Sequence, residues 1–199
     1  MATTPNYSFN AKTNDNFLNF VEVPHFLTPP ECDAIIALGK ELTEEKATIS
    51  ANRVVDPHYR KGSVAWIECL DSNAWLWYRI DELAQRINNQ YYKFDILGFR
   101  ECMQFTLNDT EGDHYNWHMD YGAGRMSIRK LSLCFQLSDP KDYKGGNLEL
   151  LYGADPVSAG KERGTAVVFP SYTMHKVTPI AQGKRYSLVS WISSHKSYE

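Results

Sequence analysis

A chain of 199 residues is long enough to bury one sizeable core and short for two, so a single domain is expected. Hydrophobic residues at 43%, aromatics at 13% and charged residues at 23% exclude a disordered, collagenous or low-complexity chain. A net charge of -3 argues against a generally basic binder of nucleic acid or membrane surface.

The opening MATTPNYSFNAKTNDNF has no charged region followed by an apolar run, and nowhere does an apolar stretch approach the ~18 residues of a spanning helix. A soluble, cytoplasmic protein is expected, with no nucleic-acid or membrane partner and its oligomeric state open. Cys32, Cys69, Cys102 and Cys134 stand far apart with no CxxC, which fits free, buried thiols better than a zinc ribbon or a disulfide framework.

Residues 1–16 are polar and read as a loose end. FLNFVEVPHFL is strand-like and stops at Thr28-Pro-Pro. There Thr28 caps an expected helix, PPECDAIIALGKEL, with Pro in its first turn, Glu31 three residues after the cap, and Ile35, Ile36 and Leu38 toward a core. TEEKATISANRVVDPHYRKGS lacks periodicity and reads as a long loop with one short strand; its Ser50–Ser63 part, with Tyr59 and Arg60, is a candidate lid. SNAWLWYRIDELAQRINNQY reads as a second helix capped by Ser72, with Trp75, Ile80, Leu83 and Ile87 inward.

From Lys93 the pattern becomes KFDILGF, ECMQFTLN, HYNWHMDYG, KLSLCFQL, NLELLYG, TAVVFP, HKVTPI and RYSLVSWI, short β-like runs separated by turn residues. This predicts a double-sheet jelly roll or barrel. The fold class is therefore α+β, mainly β, in one domain: a helical and loop region over 1–92 and an all-β core over 93–199.

In a strand, residues i and i+2 share a face, so His118 and Asp120 can converge on one point while Met119 points away. An HxD pair is common by chance and is not a site by itself. His175, after the buried run AVVFP, is the best third ligand. Two histidines and a carboxylate with open positions suit non-haem Fe(II). Ten residues on, Arg185 shares a strand face with Ser187, beyond an AQGK stretch that reads as a hairpin turn. A guanidinium fork beside a hydroxyl is shaped to take a carboxylate.

With HxD, a distant His, and Arg-x-Ser in that order, the sequence resembles the Fe(II)/2-oxoglutarate-dependent oxygenases, in the prolyl 4-hydroxylase-like branch that includes the PKHD-type hydroxylases. The matching text is QFTLNDTEGDHYNWHMD, RKLSLCFQLSDPKDYKGGNLEL and GTAVVFPSYTMHKVTPIAQGKRYSLVSWI, with FLTPPECDAIIALGKEL more weakly. The resemblance implies a double-stranded β-helix (jelly roll) core with N-terminal helices packed on one sheet. It implies His118, Asp120 and His175 as iron ligands, and Arg185, supported by Ser187, as the partner of the distal carboxylate of 2-oxoglutarate.

The implied cofactors are Fe(II), 2-oxoglutarate and O2, with ascorbate as an accessory reductant. The implied reaction hydroxylates an unactivated C–H bond of a proline-containing peptide or protein, with succinate and CO2 as co-products. Relatives usually carry a tyrosine where this chain has Asn108. Three outcomes are open: Asn108 itself replaces that contact, Tyr115 or Tyr121 supplies it, or co-substrate binding is weaker.

Competing expectations are a jelly-roll module that binds metal or peptide without turnover, and a cupin-like metal enzyme that does not use 2-oxoglutarate. His114 reads as a polar residue at the mouth of the site, and Trp117 and Trp191 as core, with a border on the iron pocket as the alternative for Trp191. Arg125, Arg129 and Lys130 form a basic cluster near the loop YGAGRMSIR, a second candidate lid.

Overall fold

The computed structural model describes residues 13–42, 45–46 and 56–198. The first helix, α1 (Pro29–Glu41), starts as the sequence predicts. Thr28 is extended, its Oγ1 accepts from the Glu31 N–H, and Glu31 reaches back to accept from the Thr28 N–H at 2.8 Å. Two donors at the helix start are thereby satisfied reciprocally. The second helix, α2 (Ala74–Ile87), turns Leu76, Ile80, Leu83 and Ile87 inward at helical spacing.

Both helices lie on one face of an eight-stranded antiparallel sheet. Its strands run in the order Val21–Val23, Ala166–Pro170, Arg129–Gln136, Arg185–Ser193, Met103–Asn108, Ser63–Ile67 and Glu45–Lys46, with Gly98–Phe99 added beside Arg185–Ser193. A five-stranded sheet covers part of the other face, in the order Val157–Ser158, Leu148–Leu151, Met174–Val177, His114–His118 and Arg60–Lys61. Two sheets with strands alternating between them form the jelly roll.

Period-2 alternation sorts the larger sheet into two surfaces. Met103, Phe105 and Leu107, with Leu131, Leu133 and Phe135, join the helices in the main core. The intervening Gln104, Thr106, Asn108 and Cys134 face the space between the sheets. At one end that space is filled by Leu148, Leu150, Val167 and Phe169; at the other it is a cavity.

Several expectations are corrected. The run KFDILGF contributes only the two-residue strand Gly98–Phe99, because α2 continues into a wider turn over Asn88–Tyr92 that ends at Lys93 with φ 60. Ser72 is not the cap of α2: a short 3-10 turn, Asp71–Asn73, precedes it, and the Asn73 side chain bonds instead to Leu70 N and Glu68 O. Trp75 is exposed, and Trp77 packs in the core in its place. Trp117 is partly exposed, with Lys176 Nζ 4.6 Å from its ring.

The AQGK stretch is no hairpin. Ile180–Gly183 is a strand paired with Tyr143–Gly145, and the chain crosses there from one sheet to the other. A strand was also missed at Ser63–Ile67, which pairs along the whole of Met103–Leu107. All four cysteines are free, but only Cys32 and Cys134 are buried. The loose end at 1–12 and most of the long loop after α1, including Ser50–Val55 of the first candidate lid, lie outside the described residues.

Gly39 shows how tightly α1 sits on the sheet: a Cβ there would overlap the Phe105 ring. Gly39→Ala gains about 1 kcal/mol of helix propensity, but overpacking a dense core costs roughly 1–3 kcal/mol. A net loss of stability is expected, seen as a lower urea midpoint at unchanged slope.

Candidate active site

The antiparallel pairing of His114–His118 with Met174–Val177 sets His175 opposite His118. Asp120 joins them from a bend just past the end of its strand. Strand alternation therefore does not deliver the carboxylate. The bend does, and it is held by Tyr121 N donating to Ser171 O at 2.9 Å. Met119, expected to point away from the site, is exposed and borders the cavity. The ligand atoms of His118, Asp120 and His175 all lie within 4.8 Å of one another, and all three residues are buried.

The tautomers follow from the neighbours. His118 Nδ1 is 2.8 Å from Asn116 O, and His175 Nδ1 is 2.9 Å from Thr173 O. A carbonyl oxygen only accepts, so each Nδ1 carries the proton and each Nε2 keeps its lone pair. Those Nε2 atoms face the Asp120 carboxylate at 3.8 and 3.6 Å. Burial, followed by the neighbouring His175, holds the His118 pKa well below the ordinary imidazole value, so the ring is neutral and free to ligate.

Burial alone would raise the Asp120 pKa. The facing His175 and His118 rings, the Arg129 charge and the Ser132 hydrogen bond lower it, so the group stays a carboxylate. Ser132 Oγ donates to Asp120 Oδ2 at 2.7 Å, and Arg129 Nη1 donates to Asp120 O at 3.1 Å. Arg129 is in turn paired with Glu101 and lies 3.9 Å from the Trp191 ring centroid. Outer contacts of this kind fix the direction of a ligand.

These groups open into a cavity of about 760 Å³, within the usual range for small-molecule sites. Arg185 lines it at 2% exposure. Its Nη1 donates to Ser187 Oγ at 3.1 Å and its Nη2 to Gln136 Oε1 at 3.0 Å, while Nε has no partner. Those partners are neutral, and among the described residues no carboxylate pairs with it. A buried cation without counter-charge is costly by several kcal/mol, so this guanidinium is built to receive an anion.

Asn108 stands opposite Arg185 in register and lines the cavity, its amide 3.4 Å from Lys61 O. Tyr115 also lines it, stacked on His118 with ring centroids 3.4 Å apart, and burial pushes its phenol up to about 12. Tyr121 packs on Tyr198 and is not among the lining residues. His114 lies at the mouth, its ring nitrogens near Gly112 O and His58 O. Arg125 is exposed at the rim in a short 3-10 turn, Gly124–Ile128, while Arg129 and Lys130 are buried.

Sequence reading missed Ser132, Gln136, Glu101, Gln104 and Trp66. The polar positions in MQFTLN signal an inward polar face for Gln104 and Thr106. Nothing local marks Ser132 or Glu101, whose partners lie 12 and 28 residues away.

Residues 103–193 match the model of the 2OG-Fe(II) oxygenase superfamily. A PKHD-type hydroxylase of Synechococcus sp. (strain CC9605) is 39% identical over 85 residues, 42% of this chain and 38% of that protein. One of Hyphomonas neptunium is 39% identical over 88 residues, 42% of this chain and 39% of the relative. The matched stretch thus spans about two fifths of the length of these relatives.

Among solved structures, a prolyl hydroxylase from Trichoplax adhaerens, in complex with a hypoxia inducible factor peptide fragment, superposes with a TM-score of 0.74 at 21% identity, covering 91% of this chain and 85% of that one. A Pseudomonas putida prolyl-4-hydroxylase gives 0.70 at 21% identity, covering 89% and 93%. At that identity the superpositions speak for the fold, the jelly roll. Residues 103–193, under half of the chain, are thus similar to the 2OG-Fe(II) oxygenase superfamily. The stretch matched by the PKHD-type hydroxylases is similar to them over about two fifths of this chain.

No helix among the described residues is long and apolar enough to cross a membrane.

Ser132→Ala removes the hydrogen bond to Asp120 Oδ2 while leaving His118, Asp120 and His175 in place. Outer-contact losses of this type cost roughly 10–100-fold in metal affinity. Calorimetric titration with Mn(II) is expected to show a drop of about tenfold, and Asp120→Ala is expected to abolish binding.

Proposed function

We propose that this chain is an Fe(II)- and 2-oxoglutarate-dependent dioxygenase that hydroxylates an unactivated C–H bond of a prolyl residue in a peptide or protein, releasing succinate and CO2. One observation carries the reading. A neutral two-histidine, one-carboxylate cluster and a buried guanidinium without counter-charge open into the same cavity. The first suits Fe(II) with facial positions left open, and the second suits the far carboxylate of a dicarboxylic 2-oxo acid.

In this reading His118, Asp120 and His175 hold the iron. Arg185 and Ser187 hold the distal carboxylate, and Asn108 and Tyr115 complete the co-substrate's polar contacts. Bound iron with the 2-oxo acid would supply oxygen activation coupled to decarboxylation. The protein's own part is positioning and exclusion of water. Ser132 and Arg129 fix Asp120, the Asn116 and Thr173 carbonyls fix the two imidazoles, and Val189, Cys134 and Trp191 line the cavity with apolar surface.

The peptide substrate is supported by the structural neighbour solved with a peptide bound, and the prolyl target by the prolyl hydroxylase neighbours. Residues 1–92 and 93–199 act as one oxygenase domain in this reading. The loop over Tyr121–Ile128, whose Gly124 and Arg125 border the cavity, acts as its lid.

The test is succinate formation from 2-oxoglutarate with Fe(II), ascorbate and 18O2 over a panel of proline-containing peptides. One labelled oxygen is expected in succinate and one in the peptide. No succinate with any peptide or free amino acid would favour a module that binds without turnover. Arg185→Ala is expected to raise the half-saturating 2-oxoglutarate concentration about 30-fold or more, the consequence of ~2 kcal/mol for truncating a buried charged partner. Arg185→Lys is expected to fall between, since a point charge replaces a fork. Unchanged saturation in Arg185→Ala would point to a metal enzyme that does not use 2-oxoglutarate.

A further inference from the structure

We propose that the substrate carries a carboxylate close to the carbon that reacts, and that Arg60 receives it. The assignment rests on the oxygenase reading for the roles of Asp120 and Arg185, and on a second buried cation for its substance.

Arg60 lies in the short strand Arg60–Lys61, in register with Tyr115. Its guanidinium carbon is 4.3 Å from the Tyr115 ring centroid, and Tyr115 is itself stacked on His118. The group therefore sits one ring away from a ligand of the metal cluster. It is 8% exposed and lines the cavity. No carboxylate among the described residues pairs with it. Burial presses its pKa downward, as expected of a cation short of counter-charge.

The charges around the cavity make the shortage specific. Arg60, Lys61, Arg125, Arg129 and Arg185 line it, against the single carboxylate of Asp120. Lys61 has Asp113 at 3.5 Å, and Arg129 has Glu101. Arg125 is exposed to water at the rim. Arg185 and Arg60 remain, both buried. A divalent metal and a dianionic co-substrate cancel, Asp120 balances one guanidinium, and one positive charge is left. The Tyr115 face offsets only part of it, because a ring quadrupole is far weaker than an ion. A substrate carboxylate supplies the missing charge and a planar partner for the fork.

That carboxylate can come from a free imino or amino acid, from a C-terminal residue, or from an Asp or Glu side chain beside the target. Matched pairs separate the sources: free proline against prolinamide, peptides ending in proline acid against proline amide, and blocked tripeptides Ac-Glu-Pro-Gly-NH2 and Ac-Gly-Pro-Glu-NH2 against their Gln counterparts. Binding is measured by calorimetry on protein loaded with Mn(II) and 2-oxoglutarate, so that turnover is not the readout.

At least one acid is expected to bind on the order of 30-fold more tightly than its amide. Arg60→Gln is expected to bring that pair within about threefold, and Arg60→Lys to retain part of the preference. Absence of any acid preference in the unmodified protein overturns the proposal, whether or not Arg60→Gln folds. A preference that survives in folded Arg60→Gln overturns it as well. The oxygenase reading is judged separately, by succinate formation with Fe(II). Succinate without acid preference removes only the Arg60 assignment, and an Arg60-dependent preference without succinate removes only the oxygenase reading.

Discussion

His175 and His118 face each other as a cross-strand pair, and this register fixes the point at which their two Nε2 atoms meet the Asp120 carboxylate. A slip of one residue would turn His175 to the other side of its strand. Other features guard the geometry. Each imidazole is anchored through Nδ1 to a carbonyl two residues before it on its own chain, which selects the tautomer and orients the ring. The third ligand comes from a bend tied to Ser171 and Ser132, so its direction depends on a different strand from the one that carries it.

The larger sheet supplies the other half of the architecture. Its alternate residues divide cleanly between a dry face under α1 and α2 and a face turned into the jelly roll. Stability and function therefore occupy opposite sides of the same strands. Met103, Phe105 and Leu107 pack, while Gln104, Thr106 and Asn108 line the site. Gly39 brings α1 close against Phe105, on the strand that carries Asn108. Burying cations on the cavity face is destabilising unless counter-charge is brought in, and Arg185 and Arg60 lie on that face.

Much of this was legible along the chain. The Thr28 to Glu31 cap, the inward stripe of α2 after Trp75, and the major strands follow from local pattern, because capping and amphipathic periodicity are short-range signals. The order of HxD, His175 and Arg185 with Ser187 was also readable, since each motif is local, and the fold brings all of them to one cavity. Local pattern failed where pairing partners decide. AQGK has the composition of a turn but is a strand because Tyr143–Gly145 lies beside it. Ser63–Ile67 was passed over beside a polar stretch and became a strand through its pairing with Met103–Leu107.

The sequence by itself determined the sheet-rich class and pointed to the residues that converge on the cavity, because these reside in residue type and spacing. Only the tertiary structure decided that WHMDYG delivers Asp120 from a bend rather than from a strand. It alone put Ser132 and Glu101 behind the ligands, Gln136 beside Arg185, and Arg60 one ring from His118. Those relations join segments far apart in the chain. Whether a charge is paired or left over depends on burial and on partners, neither of which is written at the position of the residue that carries it.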